Sequence, residues 1–266
     1  MKLLSILACG VLTISTVPTN AASVLIFGDR SSAQNNVQDV LEAQGDVVVN
    51  VSRAAVPMDL SVFDTIWSLS FNSSYGAALE DQMINFVGNG GGLYLTFERP
   101  CCEAANDSVE RIVNASLLSG GVSVGGFGDV GGTFSFNPNA VGNVDADLAV
   151  GWVPSAPGQI GGVVGNSVAV SSDVTGRAVA AAWDEDALGS GRIAAFGDVD
   201  WLSSINDGEA QVVRNTQEFL FDGFVGPNPD PIPDPAPNPV PLPAAGWLLI
   251  AGLGGLGFIR RRRKTA

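Results

Sequence analysis

The sequence predicts an α/β fold: a three-layer, doubly wound, mainly parallel sheet with a β-rich insertion. Two observations carry this. Runs such as Val24 to Gly28 and Leu93 to Phe97 are apolar at consecutive rather than alternate positions, the pattern of strands buried on both faces. Between such runs lie segments with apolar residues at helical spacing. Strand–helix alternation, with right-handed crossovers, puts helices on both faces of a parallel sheet.

The first strand is Val24-Leu25-Ile26-Phe27-Gly28. Residues 33–44 place Val37, Val40 and Leu41 on one face and stop at Gly45, an amphipathic helix with a C-terminal glycine. Asp46 to Val51 is the second strand and Phe63 to Leu69 the third. Residues 77–87 align Leu79, Met83, Phe86 and Val87 on a helix that ends in the Gly88-Asn89-Gly90-Gly91-Gly92 turn. Leu93 to Phe97 is a strand, and 105–118 carries Val109, Ile112, Val113 and Leu117 on one helical face. Residues 119–176 are rich in Gly, Val, Ser and Asn and read as a β-rich insertion. Arg177 to Trp183 and Arg192 to Phe196 are strands joined through Asp184-Glu185-Asp186 and a Gly-Ser-Gly turn, a hairpin geometry. Residues 208–222 form the last helix, on Val212, Val213, Phe219 and Leu220.

The two ends differ from this body, which spans residues 23–225. Residues 1–22 have the basic, apolar and small-residue parts of a signal peptide, with cleavage expected after Ala21 or Ala22. Residues 226–243 contain nine prolines in 18 positions, an extended spacer reaching on the order of 55 Å. Residues 244–259 are free of charge, and Arg260, Arg261, Arg262, Arg263 and Lys264 follow. Sixteen apolar residues are short for a bilayer span. The basic run is expected to stop in the cytoplasm, which places the body outside the inner membrane and the span in it only transiently.

The chain has 266 residues and no histidine. Residues 23–243, the body together with its spacer, hold all 27 acids against seven arginines and no lysine, a net of −20. Such a surface repels nucleic acid. Without imidazole, Ser-His-Asp and Cys-His catalysis and His-ligated metals are excluded.

Val240-Pro241-Leu242-Pro243-Ala244, followed by an apolar segment and the arginine run, resembles the VPLPA variant of the PEP-CTERM sorting signals. The resemblance implies export in a Gram-negative bacterium, processing by an exosortase-type enzyme, display at the cell surface or in the extracellular matrix, and a link to exopolysaccharide or biofilm. By it, Val240 to Ala244 are the recognition motif. The element order, with "GNGGGLYLTFE" and "GRIAAFGDVDWLSS", resembles the class I glutamine-amidotransferase-like fold, a flavodoxin-like arrangement, and within it the ThuA-like, non-amidotransferase branches. Catalytic members of that fold carry a cysteine on an elbow after the strand that is here Leu93 to Phe97, paired with a histidine. This chain has Glu98-Arg99-Pro100 there. The departure implies no glutaminase-type chemistry and no catalytic residue of that kind.

Other constellations remain. Asp29, Glu98, Asp198 and Asp200 follow three apolar strands, and the carboxyl ends of strands in an open α/β sheet line one crevice. If they converge, their oxygens suit Ca²⁺ or Mg²⁺. The competing reading is structural: Asp29 and Asp198 brace turns, and Glu98 pairs with Arg99 or Arg30. Cys101 and Cys102 are adjacent, and three states are open: a vicinal disulfide, reduced thiols, or pairing between molecules. Trp67 and Trp183 sit in apolar strands and are expected in the core, whereas Trp152 and Trp201 lie in loop contexts open to stacking on sugars. No organic cofactor motif is present. The expectation is an exported surface or matrix protein with a catalytically inactive domain that binds a glycan or serves structurally. The alternative is a metal-assisted, carbohydrate-active enzyme using the four carboxylates.

Overall fold

Runs that are apolar on both faces need cover on both faces, and this requirement builds the domain. The computed structural model describes residues 21–126, 134–136, 152–163, 167–171 and 177–222. Ten strands are described: β1 Ser23–Gly28, β2 Val47–Ser52, β3 Thr65–Leu69, β4 Gly92–Phe97, β5 Ser123–Val124, β6 Phe134–Phe136, β7 Ile160–Gly161, β8 Ser167–Ser171, β9 Ala178–Trp183 and β10 Arg192–Gly197. The helices are α1 Ser31–Gln44, α2 Ala77–Gly88, α3 Glu103–Ser116, α4 Glu185–Leu188 and α5 Asp207–Asp222.

The main sheet runs β2-β1-β3-β4-β10-β9-β8-β6, and β5 with β7 forms a separate ribbon. The pairs among β2, β1, β3, β4 and β10 are all parallel. This is the doubly wound 2-1-3-4-5 order of flavodoxin-like folds, so the expected fold class stands. β9 runs antiparallel to β10, the expected hairpin, with α4 in the connection. β8 and β6 continue the sheet antiparallel beyond β9, so part of 119–176 extends the main sheet.

Burial on the strands alternates between two cores. Ile26, Trp67, Tyr94 and Phe196 face α1 and α5, while Phe27, Ile66, Leu95 and Ile193 face α2 and α3. Trp67 and Trp183 are both core residues, as expected. The Trp67 indole N–H donates to Gln217 Oε1 on α5 at 2.8 Å, which satisfies a buried polar group beneath the sheet. α1 ends at Gly45, whose φ of 108° is left-handed and whose N–H donates to Glu42 O at 3.0 Å. α5 starts with a reciprocal cap: Asn206 N–H donates to Glu209 Oε2 at 2.9 Å, and Glu209 N–H to Asn206 Oδ1 at 3.0 Å.

Among the described residues no helix is long and apolar enough to cross a membrane. The residues expected to form the leader, apart from Ala21 and Ala22, and the spacer, sorting motif and basic tail lie outside the described residues.

Candidate functional site

The carboxyl ends of β1, β3, β4 and β10 lie side by side in the sheet, and the residues that follow them come together where open α/β sheets place their crevice. Its centre is Glu98, directly after β4. α3 fixes the backbone there through Asn106, 2 % exposed. Glu98 N–H donates to Asn106 Oδ1 at 2.8 Å, and Asn106 Nδ2 donates back to Glu98 O at 2.9 Å. Gly158 packs against the same peptide: a Cβ at that position would collide with Glu98 O, so only glycine permits the approach. The Glu98 side chain, 7 % exposed, turns inward, and its Oε1 accepts Val199 N–H at 2.8 Å. Burial pushes this carboxyl up to about 7. The Val199 N–H opposes the shift, Asp198 adds to it, and Arg30 and Arg99 oppose it. Glu98 is therefore a proton donor or acceptor near neutrality.

Asp198 follows β10 with φ of 70°, the left-handed region. Its own N–H donates to Phe97 O at 2.8 Å, and its side chain then holds two further segments. Oδ2 accepts Ser155 N–H at 2.6 Å and Ala156 N–H at 2.9 Å, and Oδ1 accepts Asp200 N–H at 2.8 Å. The remaining two acids are drawn away by arginines. Asp200, half exposed, is ion-paired with Arg30, which also donates to Ser203 Oγ at 3.3 Å and lies 5.1 Å from the Phe71 ring centroid. Asp29 accepts Asn72 N–H at 3.3 Å and lies 3.9 Å from Arg53.

The four predicted acids thus share a crevice without sharing a focus. Among the described residues no three His, Cys, Asp or Glu side chains form a group able to hold a metal ion. The expected Ca²⁺ or Mg²⁺ centre on Asp29, Glu98, Asp198 and Asp200 does not assemble, because Asp198 is occupied by backbone N–H groups and Asp29 and Asp200 by guanidinium groups.

Cys101 and Cys102 are bonded to each other in the 3-10 turn Pro100–Cys102 that leads from the crevice into α3. Trp152 and Trp201 require a correction. Each is 3 % exposed, and they meet edge to face at 6.3 Å, with Trp152 also edge-on to Phe196. They are core residues, closed to a sugar. Beside Glu98, the Tyr94 hydroxyl is buried with the Thr96 hydroxyl and the Trp201 indole N–H as its polar neighbours. Burial pushes the Tyr94 hydroxyl strongly up, so it stays neutral. Asn106, Phe71 and the 155–158 segment were not marked by the sequence. A polar residue in the first turn of the helix after a glycine-flanked strand is the only signal that pointed toward Asn106.

Residues 239–264 match the PEP-CTERM protein-sorting motif. This motif marks export and cell-surface sorting in Gram-negative bacteria and implies processing by an exosortase. No curated protein aligns with the chain. Among solved structures, the chain is similar to the mmIFT52 N-terminal domain, with a TM-score of 0.56 and 9 % identity over 76 % of this chain and 99 % of that one. It is also similar to ThuA-like proteins from Parabacteroides merdae (TM-score 0.47, 12 % identity, 77 % and 91 % covered) and Bacteroides uniformis (0.43, 12 %, 77 % and 95 %). At such identities the likeness concerns the fold alone.

Proposed function

We propose that this exported protein displays its α/β domain at the cell surface or in the matrix as a non-catalytic binding module for a neutral glycan of the exopolysaccharide. The observation that carries this reading is Glu98. The residue at the elbow after β4 is a buried carboxyl fastened to Val199 N–H, where acyl transfer would need an exposed nucleophile and a base. The chain offers no imidazole, and Cys101 and Cys102 are bonded to each other.

Around Glu98 the crevice presents the half-exposed Arg30–Asp200 pair, Ser203 and the Phe71 ring. Donors, acceptors and one aromatic face in that mix suit a hydroxylated, uncharged ligand. The body and spacer together carry −20 and repel polyanions, which favours neutral glycans over uronic or phosphorylated ones. Titration calorimetry of the purified protein with neutral oligosaccharides tests the reading. Binding that falls at least about tenfold, or 1.4 kcal/mol, in Arg30→Ala supports it. Turnover of a glutamine, ester or thioester substrate with a covalent adduct on Cys101 or Cys102 overturns it.

A further inference from the structure

The amino end of β1 carries a charge arrangement that the folded chain leaves incomplete. Ala22 N–H donates to Asp46 Oδ1 at 3.0 Å, and Ser23 N–H donates to Asp64 Oδ2 at 2.6 Å. Two carboxylates thus converge on two successive backbone nitrogens. Asp46 Oδ2 is buried without a hydrogen-bond partner. None of the ion pairs among the described residues includes either acid. Burial, the Ala22 N–H and the like charge of Asp64 act on Asp46, and their sum holds its carboxyl above the ordinary range. A buried, unpaired carboxylate oxygen beside a second acid calls for a cation.

We propose that this cation is the α-ammonium of Ala22, created when the leader is cut at the Ala21–Ala22 bond. Hydrolysis breaks the amide C–N bond. The water oxygen goes to the new Ala21 carboxylate, and the water protons end on the Ala22 nitrogen, which becomes –NH₃⁺. An amide nitrogen brings one N–H to Asp46, whereas an ammonium brings three and a full positive charge. It can therefore satisfy the second Asp46 oxygen beside the first and balance Asp64 one residue away.

Three observations select this bond. Thr19-Asn20-Ala21 puts small side chains first and third before it, whereas a cut after Ala22 would put Asn20 in the third place. Ala21 is exposed while Ala22 is 1 % exposed, so the domain begins at Ala22. The Ala22 carbonyl accepts Val47 N–H at 2.8 Å, which makes Ala22 the first residue tied to the sheet. The seated ammonium would pin the edge pair β1–β2 at the chain start, where strands otherwise fray.

The lysine content supplies the test. The chain has lysine only at positions 2 and 264, so after leader loss an amine-acylating reagent meets the α-amine and Lys264 alone. The full-length precursor is expressed in a secreting host without the sorting enzyme, and the exported protein is sequenced from its N-terminus and labelled near neutral pH. A free α-amine, ordinarily at about 7.7–8.0, reacts ahead of lysine at about 10.4. The expected result is a chain that starts at Ala22 and whose α-amine is acylated at least about tenfold more slowly in the native protein than in urea. Asp46→Asn and Asp64→Asn should each raise the native rate toward the unfolded one. A mature start at any other residue, or a native α-amine labelled as fast as the unfolded one, overturns the proposal. The wild-type comparison of native with unfolded protein decides the matter even where a variant fails to fold.

Discussion

Two pairs of acids, at opposite ends of the same sheet, meet opposite fates. At the carboxyl end, Asp198 accepts three backbone N–H groups and Glu98 accepts one. At the amino end, Asp46 accepts one and keeps a bare buried oxygen beside Asp64. The difference lies in the loops. Where a segment folds over the strand ends, as 155–156 does, amide donors neutralise the carboxylate from within the chain. At the amino end of β1, where no loop folds over Asp46 to cover its second oxygen, the carboxylate needs charge from elsewhere.

The sharpest way to break this comparison is Asp198→Ala. It strands the N–H groups of Ser155, Ala156 and Asp200 and leaves alanine at a φ of 70°. We expect a loss of roughly 4 kcal/mol in urea unfolding. A loss below about 1 kcal/mol would mean that the loop is held by other contacts.

Glu98→Gln should act in the opposite direction and depend on pH. The folded carboxyl titrates near 7 against an ordinary 4.5, so between these values the native state holds a proton that the unfolded chain has released. Wild-type stability then falls as pH rises through this window, and the full cost, up to about 3 kcal/mol, is present above pH 7. The glutamine still accepts from Val199 and carries no charge. It should be more stable than wild type at pH 8, near equal to it at pH 4, and without the slope between. Equal stability at both pH values would show that Glu98 titrates normally.

The smallest effect belongs to the rim. Arg30→Ala removes a solvent-screened ion pair with Asp200 and should change unfolding free energy by less than about 1 kcal/mol, even as it weakens glycan binding. A loss as large as that of Asp198→Ala would make Arg30 a structural residue and remove it from the binding surface.

The sheet was legible because it depends on local pattern. Strands whose apolar residues do not alternate with charged ones, such as β4, and helices with a single apolar stripe, such as α3, announce their burial in their own residues. The crevice was half legible. Strand order places Asp29, Glu98 and Asp198 at one end of the sheet, but their partners come from far along the chain: Asp198 meets Ser155 across 43 residues and Glu98 meets Val199 across 101. Nothing in the sequence near 152 says that this segment folds inward, so Trp152 read as a loop residue although it packs on Phe196. The insertion was hardest, since short strands such as β8 gain their identity only by docking on β9.

The ring closed between Cys101 and Cys102 bears on how the protein matures. The chain has one further cysteine, Cys9, within the proposed leader. Once that segment is gone, oxidation inside a single molecule has only one outcome, and scrambled isomers are arithmetically impossible. Closing this ring therefore needs an oxidant but no disulfide isomerase, and once closed it leaves no spare sulfur for a bond between molecules.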